Sequence, residues 1–389
     1  MNIIVLWLLV TPLFFAFGWI AGRIDMKTVI KQAKTLPSRI FDSFDALIDN
    51  KTGVASDHIR DIIELEPQII ELQLSLGKLY RNRGENDLAI KLHNKLLNSQ
   101  YLFSTEQKDQ VRLELAKDFQ QAGLVDRAES LLLKLVKSEL YSTIAQDILL
   151  DIYQQDKNWL DAIETAKKLA RSDYNYHTEV AQFNCELAQE ASIKSDYAKA
   201  LQHLNTALEI NRKCVRANIL IGEIYFAQNE YSQAIATWQL IEKQNYLYIP
   251  MIINNLFEAY INLDKTKEGL TLIKGYAKIY PNLNLAESLS NKLLNYDGIE
   301  ESIDYLDHAL RMQPNSKTAA LLIDSYMNHN DFNDSVKNGA ILIKEILIRY
   351  NEKLANYRCG RCNFKSKTFF WQCPACYEWE SINPNNSEI

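Results

Sequence analysis

Apolar and polar positions divide this chain into three stretches. Residues 3–22 form an apolar run that no charge interrupts. From about 38 to 350 apolar residues are spaced as in helices that bury one face, with few glycines or prolines between them. From about 355 the helical pattern stops and gives way to a short stretch rich in aromatic residues and cysteine.

The middle stretch repeats itself. Small residues fall in register at Ala55, Ala89, Ala128, Ala162, Ala200, Ala234, Gly269, Ser302 and Ser335, with spacings of 34, 39, 34, 38, 34, 35, 33 and 33. A period of about 34 is that of tetratricopeptide repeats, in which a small residue early in helix B lets it lie close to helix A. The two longer spacings predict insertions near 100–107 and 173–178. Leu76-Gly77 with Tyr80, and Ile221-Gly222 with Tyr225, place a glycine where two helices cross and a tyrosine in the groove beside it. Pro67, Pro281 and Pro314 lie twelve residues after their anchors, where helix B must end because proline cannot continue it. Gly84 and Gly123 supply the turns between helices A and B. The expected fold is mainly α: a tetratricopeptide-repeat superhelical solenoid over 38–350, with about nine repeats. Stability then comes from stacking one repeat on the next, because a single helix pair cannot bury its apolar face.

The first stretch, twenty residues long, suffices to cross a bilayer core of about 30 Å. A cleaved signal peptide fits it poorly, because no basic segment precedes the run. Arg23, Lys27, Lys31 and Lys34 follow directly, with only Met1 and Asn2 on the other side. The positive-inside rule therefore places 23–389 in the cytoplasm. The expected organisation is a transmembrane anchor at 1–22, a juxtamembrane linker at 23–37, the repeats, a metal module at 355–381 and a tail at 382–389. Pro12 loosens the middle of the span, and Gly18 and Gly22 form a small pair on one face that suits a partner helix.

Composition narrows the function classes. The net charge of −6 and the lack of a Lys/Arg-rich block argue against nucleic acid as a partner. Six histidines, His58, His93, His177, His203, His308 and His329, are scattered with no carboxylate or second histidine at ligand spacing. His93 falls on a helix B packing position. Tyr80, Tyr153, Tyr225, Tyr260 and Tyr326 occupy groove positions of the repeat, whereas Tyr174, Tyr176, Tyr246 and Tyr248 lie between repeats and are candidates for partner contact. No phosphate-binding loop or nucleophile–base constellation is found, so no catalytic residue and no enzyme is expected. Cys185 and Cys214 stand alone in helical pattern and read as small buried apolar residues.

The last stretch carries the chemistry. Cys359-Gly-Arg-Cys362 and Cys373-Pro-Ala-Cys376 are two Cys-x-x-Cys pairs ten residues apart. Each pair can turn two thiolates toward one ion, and two such turns complete a tetrahedral four-sulfur shell. Zinc and iron both suit that shell. With all four positions taken by Cys359, Cys362, Cys373 and Cys376, none is left for substrate, so the expected role is structural. Residues 363–372 allow a strand, a turn and a returning strand, and Phe364, Phe369, Phe370, Trp371 and Trp379 are available to cover the ion. Thiolate ligands and free thiols agree with a reducing compartment.

The chain resembles the lipopolysaccharide assembly protein B family of Gram-negative bacteria over essentially its full length. The resemblance rests on Gly18-Trp19 through Gly22-Arg23, on Leu76-Gly77 through Gly84-Glu85, on Ala122-Gly123 through Ala128-Glu129, and on Tyr357-Arg-Cys359 through Cys376. It implies a single-pass inner-membrane protein with cytoplasmic repeats and a rubredoxin-like domain. It also implies work with the membrane AAA protease FtsH, promoting degradation of the lipid A pathway deacetylase LpxC, so that lipopolysaccharide synthesis stays in balance. On this reading the chain is a non-enzymatic adaptor that tethers protease and deacetylase at one membrane patch, with other lipopolysaccharide-synthesis or transport proteins as further partners. An iron-binding electron-transfer protein and a generic repeat scaffold or co-chaperone remain the alternatives, and a homodimer stays open. The departures Gly269, Ser302 and Ser335, where earlier repeats have alanine, put the last repeats in question.

Overall fold

The computed structural model of the chain describes residues 15–17, 19, 40–65, 69–99, 104–169, 175–283, 285–329 and 333–385. Nearly all of the apolar run at 3–22, with Pro12, Gly18 and Gly22, lies outside the described residues, as do the linker at 23–37, Pro67 and Tyr174. Residues 15–17 and 19 are helical. No helix among the described residues is long and apolar enough to cross a membrane.

The chain forms two compact units, Met1–Lys157 and Asn158–Ile389. In the first, a helical segment at 40–48 precedes α1 (Thr52–Leu65), α2 (Ile70–Asn82), α3 (Asn86–Leu97), α4 (Thr105–Gln121), α5 (Val125–Leu135) and α6 (Ser142–Gln155). The second holds α7 (Trp159–Leu169), α8 (His177–Ile193), α9 (Tyr197–Ile210), α10 (Val215–Ala227), α11 (Tyr231–Asn245), a 3-10 turn (Tyr246–Tyr248) and α12 (Ile249–Asn262). It continues with α13 (Thr266–Ile279), α14 (Ala286–Tyr296), α15 (Ile299–Met312), α16 (Ser316–His329) and α17 (Asp334–Asn351), then β1 (Tyr357–Arg358) and β2 (Lys365–Ser366). Two expected insertions end early, because Ser104 and Gln107 form a capping box that opens α4 and α8 already starts at His177.

The anchors explain the packing. Ala55, Ala89, Ala128, Ala162, Ala200 and Ala234 have no exposed surface, and Gly269 and Ser302 are also buried. The Ser302 hydroxyl donates to the Ser290 carbonyl of the preceding helix at 3.1 Å, so the substitution for alanine leaves no buried group unpaired. Ser335 is different: it is exposed, and α17 buries no residue. In the other repeats the anchor is the fourth residue of its helix, whereas Ser335 is the second residue of α17. Two residues rotate a side chain by about 200°, away from the packing face. The ninth anchor is therefore corrected: the period reaches Ser335, but the contact does not form.

The crossings at Gly77 and Gly222 are close. A Cβ on Gly77 would lie 2.2 Å from His93 Nε2, and one on Gly222 would lie 2.2 Å from Trp238 Nε1. The Trp238 indole, almost fully buried, donates to the Ile219 carbonyl at 3.2 Å. His93 is fully buried, and its Nδ1 meets Asp118 Oδ2 of the following repeat. Arg81 joins the same group, 2.8 Å from Asp118 and 2.6 Å from Glu114. The histidines thus do include a carboxylate partner, which the repeat supplies from a distant part of the sequence.

Turns from helix A to helix B share one geometry. Gly84 (φ 79°) and Gly123 (φ 74°) are left-handed as expected, and so are Lys157, Ser195, Asn229 and Asp264 at φ between 56° and 63°. Each lies two residues past the end of its helix A. A left-handed lysine or serine costs about 1 kcal/mol, and the helix packing around it carries that cost.

Of the groove tyrosines, Tyr153 and Tyr260 are buried and Tyr80 and Tyr225 half-buried, but Tyr326 is 40% exposed.

Candidate metal centre

Two short turns build the centre. In the first, the Cys359 N–H donates to the Phe364 carbonyl at 2.8 Å and the Asn363 N–H to the Cys359 carbonyl at 3.1 Å. In the second, the Cys373 N–H donates to the Glu378 carbonyl at 2.9 Å and the Tyr377 N–H to the Cys373 carbonyl at 2.8 Å. The residue after the second cysteine of each pair is left-handed: Asn363 at φ 62° and Tyr377 at φ 57°. The two knuckles are therefore copies of one local fold. The Gly360 N–H donates to the Ser381 carbonyl and links the first knuckle to the chain leaving the second, whose own arms are tied by the Glu380 N–H to the Trp371 carbonyl, both at 2.8 Å.

The strand arrangement differs from the expected one. β1 enters the first knuckle rather than leaving it, and it pairs antiparallel with β2, with Tyr357 opposite Ser366. Two isolated bridges, Cys359 with Ile382 and Gln372 with Trp379, complete the unit. Ile382, expected at the start of a tail, is buried beside Cys359 and Cys373 and belongs to the module.

All four sulfurs lie within 4.8 Å of one another. Cys359 and Cys376 are 3.7 Å apart, as are Cys362 and Cys373. A tetrahedral ion with metal–sulfur bonds of about 2.3 Å requires neighbouring sulfurs about 3.8 Å apart, so the four ligands fit one zinc or iron ion. Burial opposes ionisation of Cys359, but the Ser381 hydroxyl and the backbone N–H groups of Cys362 and Arg361 outweigh it and bring the thiol down to about 6. Burial and the neighbouring sulfurs push Cys376 up to about 12. Four thiolates this close repel one another, and a bound cation removes that repulsion. The residues that hold the ion are Cys359, Cys362, Cys373 and Cys376. When bound, it supplies a cross-link between the two knuckles, with no coordination position left for substrate.

The aromatic residues divide between two tasks. Phe364 and Phe369 pack against the cysteine cluster, whereas Phe370 is exposed. Trp371 and Trp379 face the repeats instead of covering the ion. Trp371 stacks on Tyr248 with centroids 5.3 Å apart and planes 3° from parallel. Trp379 meets Trp159 at 6.2 Å and Phe183 at 6.0 Å, both edge to face. The Arg216 guanidinium serves both tryptophans, 5.5 Å from the Trp371 centroid and 6.0 Å from that of Trp379. Gln182 Nε2 donates to Glu380 Oε1 at 2.6 Å, and Asn385 Nδ2 to the Asn282 carbonyl at 2.7 Å. The metal module is thus seated on α7, α8, α10 and the 3-10 turn.

Arg216 holds this seat together. It is 3% exposed and also donates to Gln182 at 3.1 Å, Glu186 at 2.7 Å and Gln189 at 2.5 Å. Burial raises the Glu380 carboxyl, and Gln182 and Arg216 only partly counter it. Tyr248, expected as a partner contact, meets the chain's own module, and Tyr246 stacks on Tyr280 at 4.6 Å. Sequence reading missed Arg216, Gln182, Trp159 and Phe183. One sign was available: Arg216 is a cation in the first turn of a largely apolar helix, where the helix dipole disfavours it.

The chain is similar to known proteins along most of its length. Residues 357–384 match the model described as "Rubredoxin metal binding domain", and 193–246 match "Tetratricopeptide repeat". Among solved structures, a tetratricopeptide repeat protein from Parabacteroides merdae is 14% identical, covering 80% of this chain and 99% of its own, with a TM-score of 0.28. The lipopolysaccharide assembly protein B of Escherichia coli K12 is 27% identical over 97% of both chains. That of Haemophilus influenzae is 30% identical over 98% of both. With repeats and metal module aligned end to end at that identity, the chain belongs to the lipopolysaccharide assembly protein B family.

Proposed function

We propose that this chain is a non-enzymatic adaptor in lipopolysaccharide assembly, held at the inner membrane by residues 3–22 with 23–389 in the cytoplasm. Its end-to-end relationship to proteins named for lipopolysaccharide assembly carries the reading. The chemistry of the centre supports it: four cysteines close the shell, and a closed shell orders a protein surface rather than activating a substrate. The repeats and the seated module offer a surface for protein partners. On this account those partners are the protease FtsH and the deacetylase LpxC. Tethering both at one membrane patch raises their encounter rate through effective concentration, with no new chemistry.

Crosslinked affinity purification from membranes, using the chain with its N-terminal run intact, tests the proposal. Recovery of both protease and deacetylase supports it. Recovery of many unrelated clients without the protease supports the scaffold reading instead. A chain lacking residues 1–22 that restores normal deacetylase turnover at native expression would refute the tether.

A further inference from the structure

Cys185 and Cys214 do not stand alone. They come from α8 and from the N-cap of α10, are fully buried, and place their sulfurs 3.8 Å apart. A disulfide needs the sulfurs about 1.8 Å closer. The two thiols are not equivalent. Cys214 stands at the N-cap of α10, and its sulfur lies 3.7 Å from Gln182 Nε2. The hydrogen bond from Cys185 is the main influence that lowers the Cys214 thiol against its burial, and burial pushes that of Cys185 up. A sulfur at a helix N-terminus among hydrogen-bond donors is the geometry of an attacking thiolate, and a neighbouring thiol can resolve what it forms.

The metal module lies one side chain away. Gln182 meets Cys214 on one side and Glu380 of the module on the other, 2.6 Å from its carboxylate. Arg216, which supports both module tryptophans, is two residues from Cys214 and bonds the same Gln182.

We propose that Cys185 and Cys214 form a dithiol that a small hydroperoxide oxidises to a disulfide, and that the seated metal module shields it. Cys214 Sγ attacks one peroxide oxygen. The O–O bond breaks, the alkoxide leaves and takes up the proton that Cys214 released, and Cys214 becomes a sulfenic acid. Cys185 Sγ then attacks Cys214 Sγ, forming the S–S bond and displacing hydroxide, which takes the Cys185 proton and leaves as water. In sum, two thiols and one hydroperoxide give one disulfide, one alcohol and one water. A dithiol reductant reverses the change by exchange. Loosening of the module thereby becomes a covalent mark within the repeats.

The test uses the full-length, metal-loaded chain with hydrogen peroxide as the probe, followed by alkylation and peptide mapping without reduction. The expected product is a Cys185–Cys214 cross-linked peptide lighter by two hydrogens, formed while the metal content is unchanged. Trp371→Ala and Tyr248→Leu, which open the seat from opposite sides, speed its formation about tenfold. In Cys185→Ser, Cys214 proceeds to sulfinic acid, whereas in Cys214→Ser, Cys185 stays reduced. Absence of the cross-linked peptide in all of the proteins would overturn the dithiol. Equal rates in wild type and both seat variants would overturn the shielding.

Discussion

Trp371→Ala measures how firmly the module is seated. The wild-type ring stacks on Tyr248 at 5.3 Å and lies 5.5 Å from the Arg216 guanidinium. An aromatic pair contributes about 1 kcal/mol beyond its area, and a largely desolvated cation–π contact about another 1 kcal/mol. Trp371 is only half-buried, so lost apolar contact adds about 1–2 kcal/mol at about 25 cal/mol per Å². The substitution therefore costs about 3–4 kcal/mol, a factor of a few hundred in the seated equilibrium. The assay is urea unfolding of the metal-loaded chain, arranged as a double-mutant cycle with Tyr248→Ala. The cycle isolates the stack, with an expected coupling of about 1 kcal/mol. A loss below about 0.5 kcal/mol for Trp371→Ala, or full additivity of the two substitutions, would refute the seat as described.

Three further outcomes follow from the same contacts. Gly222→Ala puts a Cβ 2.2 Å from Trp238 Nε1 and lowers stability by about 2–3 kcal/mol, whereas Gly275→Ala, with no atom within 4 Å, raises it by about 0.5–1 kcal/mol; urea midpoints distinguish the two. Cys373→Ser removes one corner of the shell and leaves the purified chain without stoichiometric metal, as elemental analysis would show, and full occupancy would contradict the four-sulfur site. Burial raises the Glu380 carboxyl, so its charged form is the less stable one in the fold. Stability from this group is therefore present below its unfolded pKa and falls as pH rises through the higher folded value. Glu380→Gln, which keeps an acceptor for Gln182, is accordingly as stable as wild type or more so near neutral pH, with the difference vanishing near pH ~4; a marked loss at neutral pH would contradict this.

Much of this fold is legible from spacing alone. Helix B needs a small residue at its fourth position, and that steric demand writes Ala55 to Ser302 into the sequence as a period. The same period gave Ser335 a role it lacks, because spacing records the repeat and not whether a neighbour covers the face. Glycine marks the turns at Gly84 and Gly123 but misses Asn229 and Asp264, whose side chains tolerate the same geometry, and Lys157 and Ser195, which adopt it against their own preference. The four metal ligands are legible because each pair is local. The seat of the module is not, since Gln182 meets Glu380 across 198 residues and no local pattern joins them. His93 with Asp118 and Cys185 with Cys214 escape notice for the same reason: each pair joins two repeats.

The measurement that bears most directly on the account is amide hydrogen exchange of the full chain, with and without its metal, combined with side-chain footprinting. Removing the ion is expected to release the amides of 357–382 to unprotected rates and to expose Tyr248, Trp159 and Phe183, while Trp238 and the helices of 40–157 keep their protection. A module that stays protected without metal, or a repeat face that stays covered once the module has unfolded, would contradict the claim that one structural ion holds this surface in place.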